Sequence, residues 1–266
     1  NSRIMRYNPD SGEVTEYRTN TNGTNGLMFD AEGRLFGCSG GGRTILHFAP
    51  DGSNIPLPNL LDGKRHNTPN DLAIDRKGRI WFTDPNRRIL AENREIDHAS
   101  VLRLTPDIDA EGGWTLQRMT YGTTAPNGLL LSDDEWSLYV IQSDYDGLRE
   151  LRSYPLLDDD TLGEHMVLHS FGEDFGGVHR GLDGMCLDTE GNIIACGGWR
   201  QAGPGPMIYV FSPSGRVLET HPTPVDWPTN CAFGGRGLDI LYVTTHGGHL
   251  FKVANTGHKG AVLFPA

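Results

Sequence analysis

Apolar and polar residues alternate along this chain in short runs, and the alternation restarts at a roughly fixed interval. Five stretches share a polar pair, an apolar strand, a tight turn and a second apolar strand. They are NGLMFDAEGRLFGC from Asn25, NDLAIDRKGRIWFT from Asn70, NGLLLSDDEWSLYV from Asn127, DGMCLDTEGNIIAC from Asp183 and TNCAFGGRGLDILYV from Thr229. A period of two within each run marks strands. The turns DAEG, DRKG and DTEG are what tight hairpins require, with glycine taking the positive φ. A third apolar strand follows each hairpin (TILHFAP, SVLRLTP, ELRSYPL, MIYVFSP and HLFKVAN), then a D-G or S-G turn and an outer strand. The starts lie 45, 57, 56 and 46 residues apart, room for four strands and their turns. Almost nothing reads as an amphipathic helix. Four short strands per repeat at this period predict an all-β chain of propeller type rather than a sandwich or barrel.

Residues 1–20 match only the outer half of a repeat. One period of 45 back from Asn25 falls twenty residues before Asn1. The expected architecture is therefore a six-bladed β-propeller in a single domain, 1–266, with its first blade incomplete in this chain. Five repeats then start near 25, 70, 127, 183 and 229. Five closed blades preceded by an N-terminal hairpin is the competing arrangement.

Composition narrows the partners. The 35 glycines and 16 prolines suit many turns, and 23 basic against 34 acidic residues give a formal charge of −11. Such a surface repels nucleic acid and anionic membranes and suits a cation or a small neutral substrate. No run of about eighteen apolar residues is present, so no membrane span is expected. The four cysteines lack C-x-x-C spacing, which favours buried free thiols over a zinc site. No G-x-S-x-G elbow or matched Cys–His pair occurs, which disfavours covalent catalysis. Nothing in the composition separates a cytoplasmic from a periplasmic location.

The repeat itself points to chemistry. In a propeller the innermost strands run the same way around one axis, so the residues that open them form a ring. Here that ring is Asn25, Asn70, Asn127, Asp183 and Thr229. Five oxygen-bearing side chains make a poor core and a good hard-cation site; capping of local turns is the plainer alternative. Asp183 is the ring's sole carboxylate, which makes it the candidate for both metal ligand and general base. Asp71 adjoins Asn70, either orienting it or bracing the loop. His66 and Arg65 stand in the loop before Asn70, and His246 follows the last inner hairpin.

The stretches GKRHNTPNDLAIDRKGRIWFTDP, APNGLLLSDDEWSLYV, GLDGMCLDTEGNIIACGG and PTNCAFGG resemble the gluconolactonase and senescence-marker-protein (regucalcin) family of six-bladed propellers. The likeness runs over nearly the whole chain, and NTPND and LDGMCLD are its most distinctive motifs. The resemblance implies a hydrolase that opens a sugar lactone such as gluconolactone at a bound divalent cation. Calcium is the usual ion, with zinc, magnesium or manganese as alternatives. The family holds it with one Glu, two Asn and one Asp, which maps onto Asn70, Asn127 and Asp183. In the lactonase branch Asn70 leans toward the substrate. Asn25 and Asn67 match positions that bind substrate hydroxyls, and Asp71, His66 and His246 join them as substrate-side candidates.

Two departures stand out. The family Glu opens a first inner strand that this chain does not contain, so no residue here takes that role. FTDP (Phe82 to Pro85) runs on into NRRILAENREIDHAS, a charged insertion expected over one channel mouth, where Arg87 and Arg88 would favour an anionic lactone. Two other functions compete: a regulatory or scaffold propeller with a structural calcium, and a phosphotriesterase-like hydrolase. A scaffold would show clustered exposed aromatics, whereas the five tryptophans are dispersed along the sequence.

Overall fold

The computed structural model describes residues 2–264; Asn1, Pro265 and Ala266, which the 1–266 domain includes, lie outside the described residues. The chain divides into two compact units, Asn1–Pro126 and Asn127–Ala266. It is all-β, with only two short 3₁₀ turns, Ala91–Asn93 and Glu111–Gly113, among the described residues.

Four of the five repeats are four-stranded antiparallel meanders, the sheets of a propeller blade. Blade 1 comprises Thr24–Phe29, Leu35–Ser39, Thr44–Phe48 and Asn54–Pro56; blade 2 comprises Leu72–Ile74, Ile80–Asp84, Ser100–Pro106 and Trp114–Arg118. Blade 3 opens at the boundary between the units with Pro126–Leu131 and continues through Ser137–Ser143, Arg149–Pro155 and Met166–Ser170. Blade 4 is Leu182–Leu187, Ile193–Trp199, Ala202–Phe211 and Val217–Pro222. Blade 5 has three strands among the described residues, Pro228–Gly234, Ile240–Thr245 and Leu250–Val253. Arg3–Tyr7 pairs with Val14–Thr19 as a separate two-stranded sheet. Its Ile4 packs against Leu35, Leu46 and Phe48 of blade 1. Both arrangements expected from the sequence, an outer half-blade and an N-terminal hairpin, contain this hairpin.

The repeated aspartates of the turns are structural. Asp30, Asp75 and Asp188 each accept from the backbone N–H two and four residues on, while Gly33, Gly78 and Gly191 take φ near 75°. The second carboxylate oxygen binds the side chain four residues on: Arg34 at 2.6 Å, Arg79 at 2.6 Å and Asn192 at 2.8 Å. In blade 2 this group is wholly interior, and Trp81 Nε1 also donates to Asp75 at 2.9 Å.

The glycine after the opening Asn or Asp has a steric cause. A Cβ on Gly26 would meet Asp71 Cα at 2.7 Å and the Asn70 carbonyl oxygen at 2.9 Å. A Cβ on Gly128 would run into the backbone of Asp183, and one on Gly184 into the side chain of Asn230. The first strand of one blade thus touches that of the next, which seats Asn25 beside Asn70 in the first unit. In the second unit the same contact seats Asn127 beside Asp183, and Asp183 beside Thr229–Asn230.

All four cysteines are free thiols. Cys38, Cys196 and Cys231 are buried, and Cys186 lies 3.7 Å from Cys231 between blades 4 and 5. Burial pushes the Cys38 thiol up. No helix among the described residues is long and apolar enough to cross a membrane.

Candidate functional site

In the first unit the residues around Asn70 are held by a network anchored on Asp84. The Asp84 carboxylate accepts from His66 Nδ1 at 3.0 Å and from the Asn67 backbone N–H at 2.7 Å. Asn67 Nδ2 donates to the His98 carbonyl at 2.8 Å. Arg43 donates to the carbonyls of Arg65, His66 and Asn67 and pairs with Glu95, which also receives the Arg65 N–H at 2.9 Å. His66, Asn67 and Asp84 are fully buried. His66 and Asn67 are the residues expected on the substrate side, and these bonds hold them in the loop that leads to Asn70. His66 Nε2 and Asn67 Oδ1 remain without a hydrogen-bond partner among the described residues.

Asn70 is half-buried and locked through its backbone, donating to Thr83 O and accepting from Gly26 N, both at 2.9 Å. Asp71 Oδ1 accepts from Leu72 N at 3.0 Å. Asn25 is exposed. The insertion after FTDP is a loop with Ile96 buried and Arg87 and Arg88 exposed. No sequence signal marks Asp84 or Arg43 as part of this network, although Asp84 lies within FTDP. Their partners lie 17 to 52 residues away, so no local pattern reveals the pairing.

In the second unit Asn127 and Asp183 open neighbouring strands, both half-buried. The Asp183 side chain keeps 24% of its surface exposed, and its Oδ2 accepts from Arg180 Nη2. Arg180 is only 3% exposed and is fixed from both sides. Its Nη1 donates to Gly198 O at 3.2 Å and Pro228 O at 3.0 Å, and its guanidinium lies 5.4 Å from the centre of the Trp227 ring. Trp227 has a positive φ of 56°, uncommon for a bulky residue, and its carbonyl receives the His246 N–H at 2.9 Å.

Aromatic rings continue outward from this point. Trp227 lies 6.0 Å from Trp199 and 4.9 Å from His246, and Trp199 stacks on Tyr145 at 5.6 Å. The dispersal of the tryptophans is thus a feature of the sequence alone, since blades 4 and 5 bring two of them together next to Arg180. His246 is exposed on this cluster, while Thr229 bonds Thr244 Oγ1 at 3.0 Å.

His179 sets the entry of the strand that carries Asp183. Its Nδ1 accepts from Gly181 N at 2.9 Å, and Nε2 meets the Tyr209 hydroxyl at 3.1 Å. Burial, with Arg149 and Arg180 nearby, pushes this histidine down to about 4. The unfolded chain takes up the proton near the ordinary value of 6.5, the folded chain only near 4. The stability this group contributes is therefore complete above pH 6.5 and is lost as the pH falls toward 4. We expect His179→Gln to flatten the melting temperature against pH across that window. Parallel profiles for the two proteins would remove His179 as the cause.

Among the described residues no three His, Cys, Asp or Glu side chains gather as a metal cluster. The donor chemistry at Asp183 and Asn127 nevertheless suits a hard cation, since both offer oxygen. One oxygen of the Asp183 carboxylate is occupied by the Arg180 guanidinium.

The family profile described as "SMP-30/Gluconolactonase/LRE-like region" matches residues 1–247. A gluconolactonase of Zymomonas mobilis is 31% identical over 234 residues, covering 84% of this chain and 61% of that protein. A 6-deoxy-6-sulfogluconolactonase of Pseudomonas putida is 30% identical over 184 residues, 69% of this chain and 55% of that protein. The chain thus spans less than two thirds of the length of these two relatives. The solved structure of a gluconolactonase from Xanthomonas campestris superposes with a TM-score of 0.74 at 33% identity, covering 92% of this chain and 76% of that one.

Proposed function

The chain belongs to the SMP-30/gluconolactonase/LRE-like family, and from that membership we propose that it hydrolyses a sugar lactone at a divalent cation, calcium in our reading. The observation that carries the proposal is the pairing of Asp183 and Asn127 at the mouths of two touching strands. Asp183 would hold the cation with its carboxylate, and Asn127 with its side-chain oxygen. When bound, such a cation polarises the lactone carbonyl and makes water a better nucleophile.

The residues of the chain handle the proton. Asp183 receives it at a carboxylate oxygen as water adds to the carbonyl carbon. When the ring C–O bond breaks, the same proton passes to the departing ring oxygen, leaving an open hydroxy acid. Trp199, Trp227 and Tyr145 form an aromatic cluster beside Arg180, and His246, exposed on it, would be the substrate-side group. In the first unit the family pattern gives Asn70 a ligand or substrate role and Asn25 a contact to substrate hydroxyls. His66, Asn67 and Asp71 support that contact by fixing the loop.

The experiment is hydrolysis of glucono-1,5-lactone followed with a pH indicator, before chelation, after chelation, and after returning calcium, zinc, magnesium or manganese. Activity is expected to vanish with chelator and to return best with calcium. Turnover that ignores chelator would remove the cation from the mechanism. Turnover of a phosphotriester but of no aldonolactone would reassign the substrate class.

A further inference from the structure

We propose that Arg180 is a resident competitor for the cation at Asp183 and thereby sets the metal affinity of this site. The inference rests on the reading of Asp183 as a metal ligand. A guanidinium that donates to one oxygen of a carboxylate neutralises part of the charge a divalent ion needs. It also places a positive charge within a few ångströms of the incoming one.

What makes this a built device is the asymmetry of the pair. Arg180 is held by two backbone carbonyls from different blades, Gly198 O and Pro228 O, and lies on the face of Trp227. It is almost wholly buried, with 3% of its surface exposed. Asp183 is a short side chain with a quarter of its surface open. The carboxylate is therefore the partner that yields. To take a cation Asp183 would have to turn from Arg180, while the guanidinium would stay on its two carbonyls and its ring with its charge undiminished. The chain thus binds its ion against a fixed like charge, and the ion is held more loosely than the oxygen donors alone would hold it.

The test is metal binding, measured apart from turnover. Full-length protein, stripped with chelator and dialysed, is titrated with Ca2+ by calorimetry and with Mn2+ by electron paramagnetic resonance. Wild type is compared with Arg180→Gln, Arg180→Lys, Asp183→Asn and the Arg180→Gln/Asp183→Asn double variant. Arg180→Gln is expected to bind about tenfold more tightly, since it removes a like charge beside the incoming ion. Arg180→Lys keeps the charge and should stay close to wild type, and the gain should disappear when Asp183 is Asn. Unchanged or weaker binding by a folded Arg180→Gln would overturn the proposal. Should that variant fail to fold, tightening of tenfold or more in Arg180→Lys would overturn it equally. Loss of Ca2+ and Mn2+ binding from both wild type and Arg180→Gln would instead sink the reading of Asp183 as a ligand, and the competitor with it.

Discussion

Asp183→Asn is expected to lower kcat/KM for lactone hydrolysis by about 10³-fold, the middle of the range for removing a positioned acid–base group. The substitution keeps shape and size, so Gly128 still has the same backbone to pack against. What it removes is the charge. Asparagine neither accepts the proton of attacking water nor offers a carboxylate to a divalent ion. It also leaves Arg180 without its anion, but the guanidinium keeps the carbonyls of Gly198 and Pro228. Folding should therefore survive, and near-ultraviolet circular dichroism matching wild type would show it. Steady-state kinetics at saturating Ca2+ decide the matter. A variant within tenfold of wild type would mean that another group carries the proton.

Gly128→Ala is expected to destabilise the protein by about 3 kcal/mol, at the upper end of the usual overpacking cost. The added methyl group would lie 3.1 Å from Gly184 Cα and 3.2 Å from the Asp183 carbonyl carbon, closer still to the carbonyl oxygen. Those atoms are backbone of a strand paired on its other side to Ile193–Trp199, so they cannot step aside as a long side chain would. For a chain of this size the melting temperature should fall by about 6–12 °C. Gly172→Ala is the control, since nothing lies within 4 Å of a Cβ built there. That variant is expected to melt within a degree or two of wild type. Equal melting of Gly128→Ala and wild type would show that the two strands can part at no cost. Displacement of Asp183 should also make Gly128→Ala a poorer enzyme than its residual stability alone explains.

Much of the fold is legible in the sequence because its signals are local. A hairpin is specified by alternation and by a glycine at the right offset from an aspartate, all within about ten residues. DAEG, DRKG and DTEG accordingly formed the turns expected of them, with the positive φ on the glycine. The family motifs were equally local, and NTPND and LDGMCLD led to the family the chain belongs to. The neighbour relation of Asn25 to Asn70, and of Asn127 to Asp183, followed from the repeat, and the glycine contacts supply its steric reason.

Tertiary structure alone decided which side chains face the reactive groups. Arg180 reads as an unremarkable basic residue three positions before Asp183, and its importance comes from carbonyls 18 and 48 residues away. Trp199 and Trp227 look dispersed until two blades lay them side by side. His66 and Asn67 look like reachable polar residues of a loop, yet Asp84, eighteen and seventeen residues on, binds both in a buried group. The physical reason is common to all three. Strand and turn preferences act between near neighbours in sequence, whereas burial and charge pairing depend on which distant segments the packed sheets bring within a few ångströms.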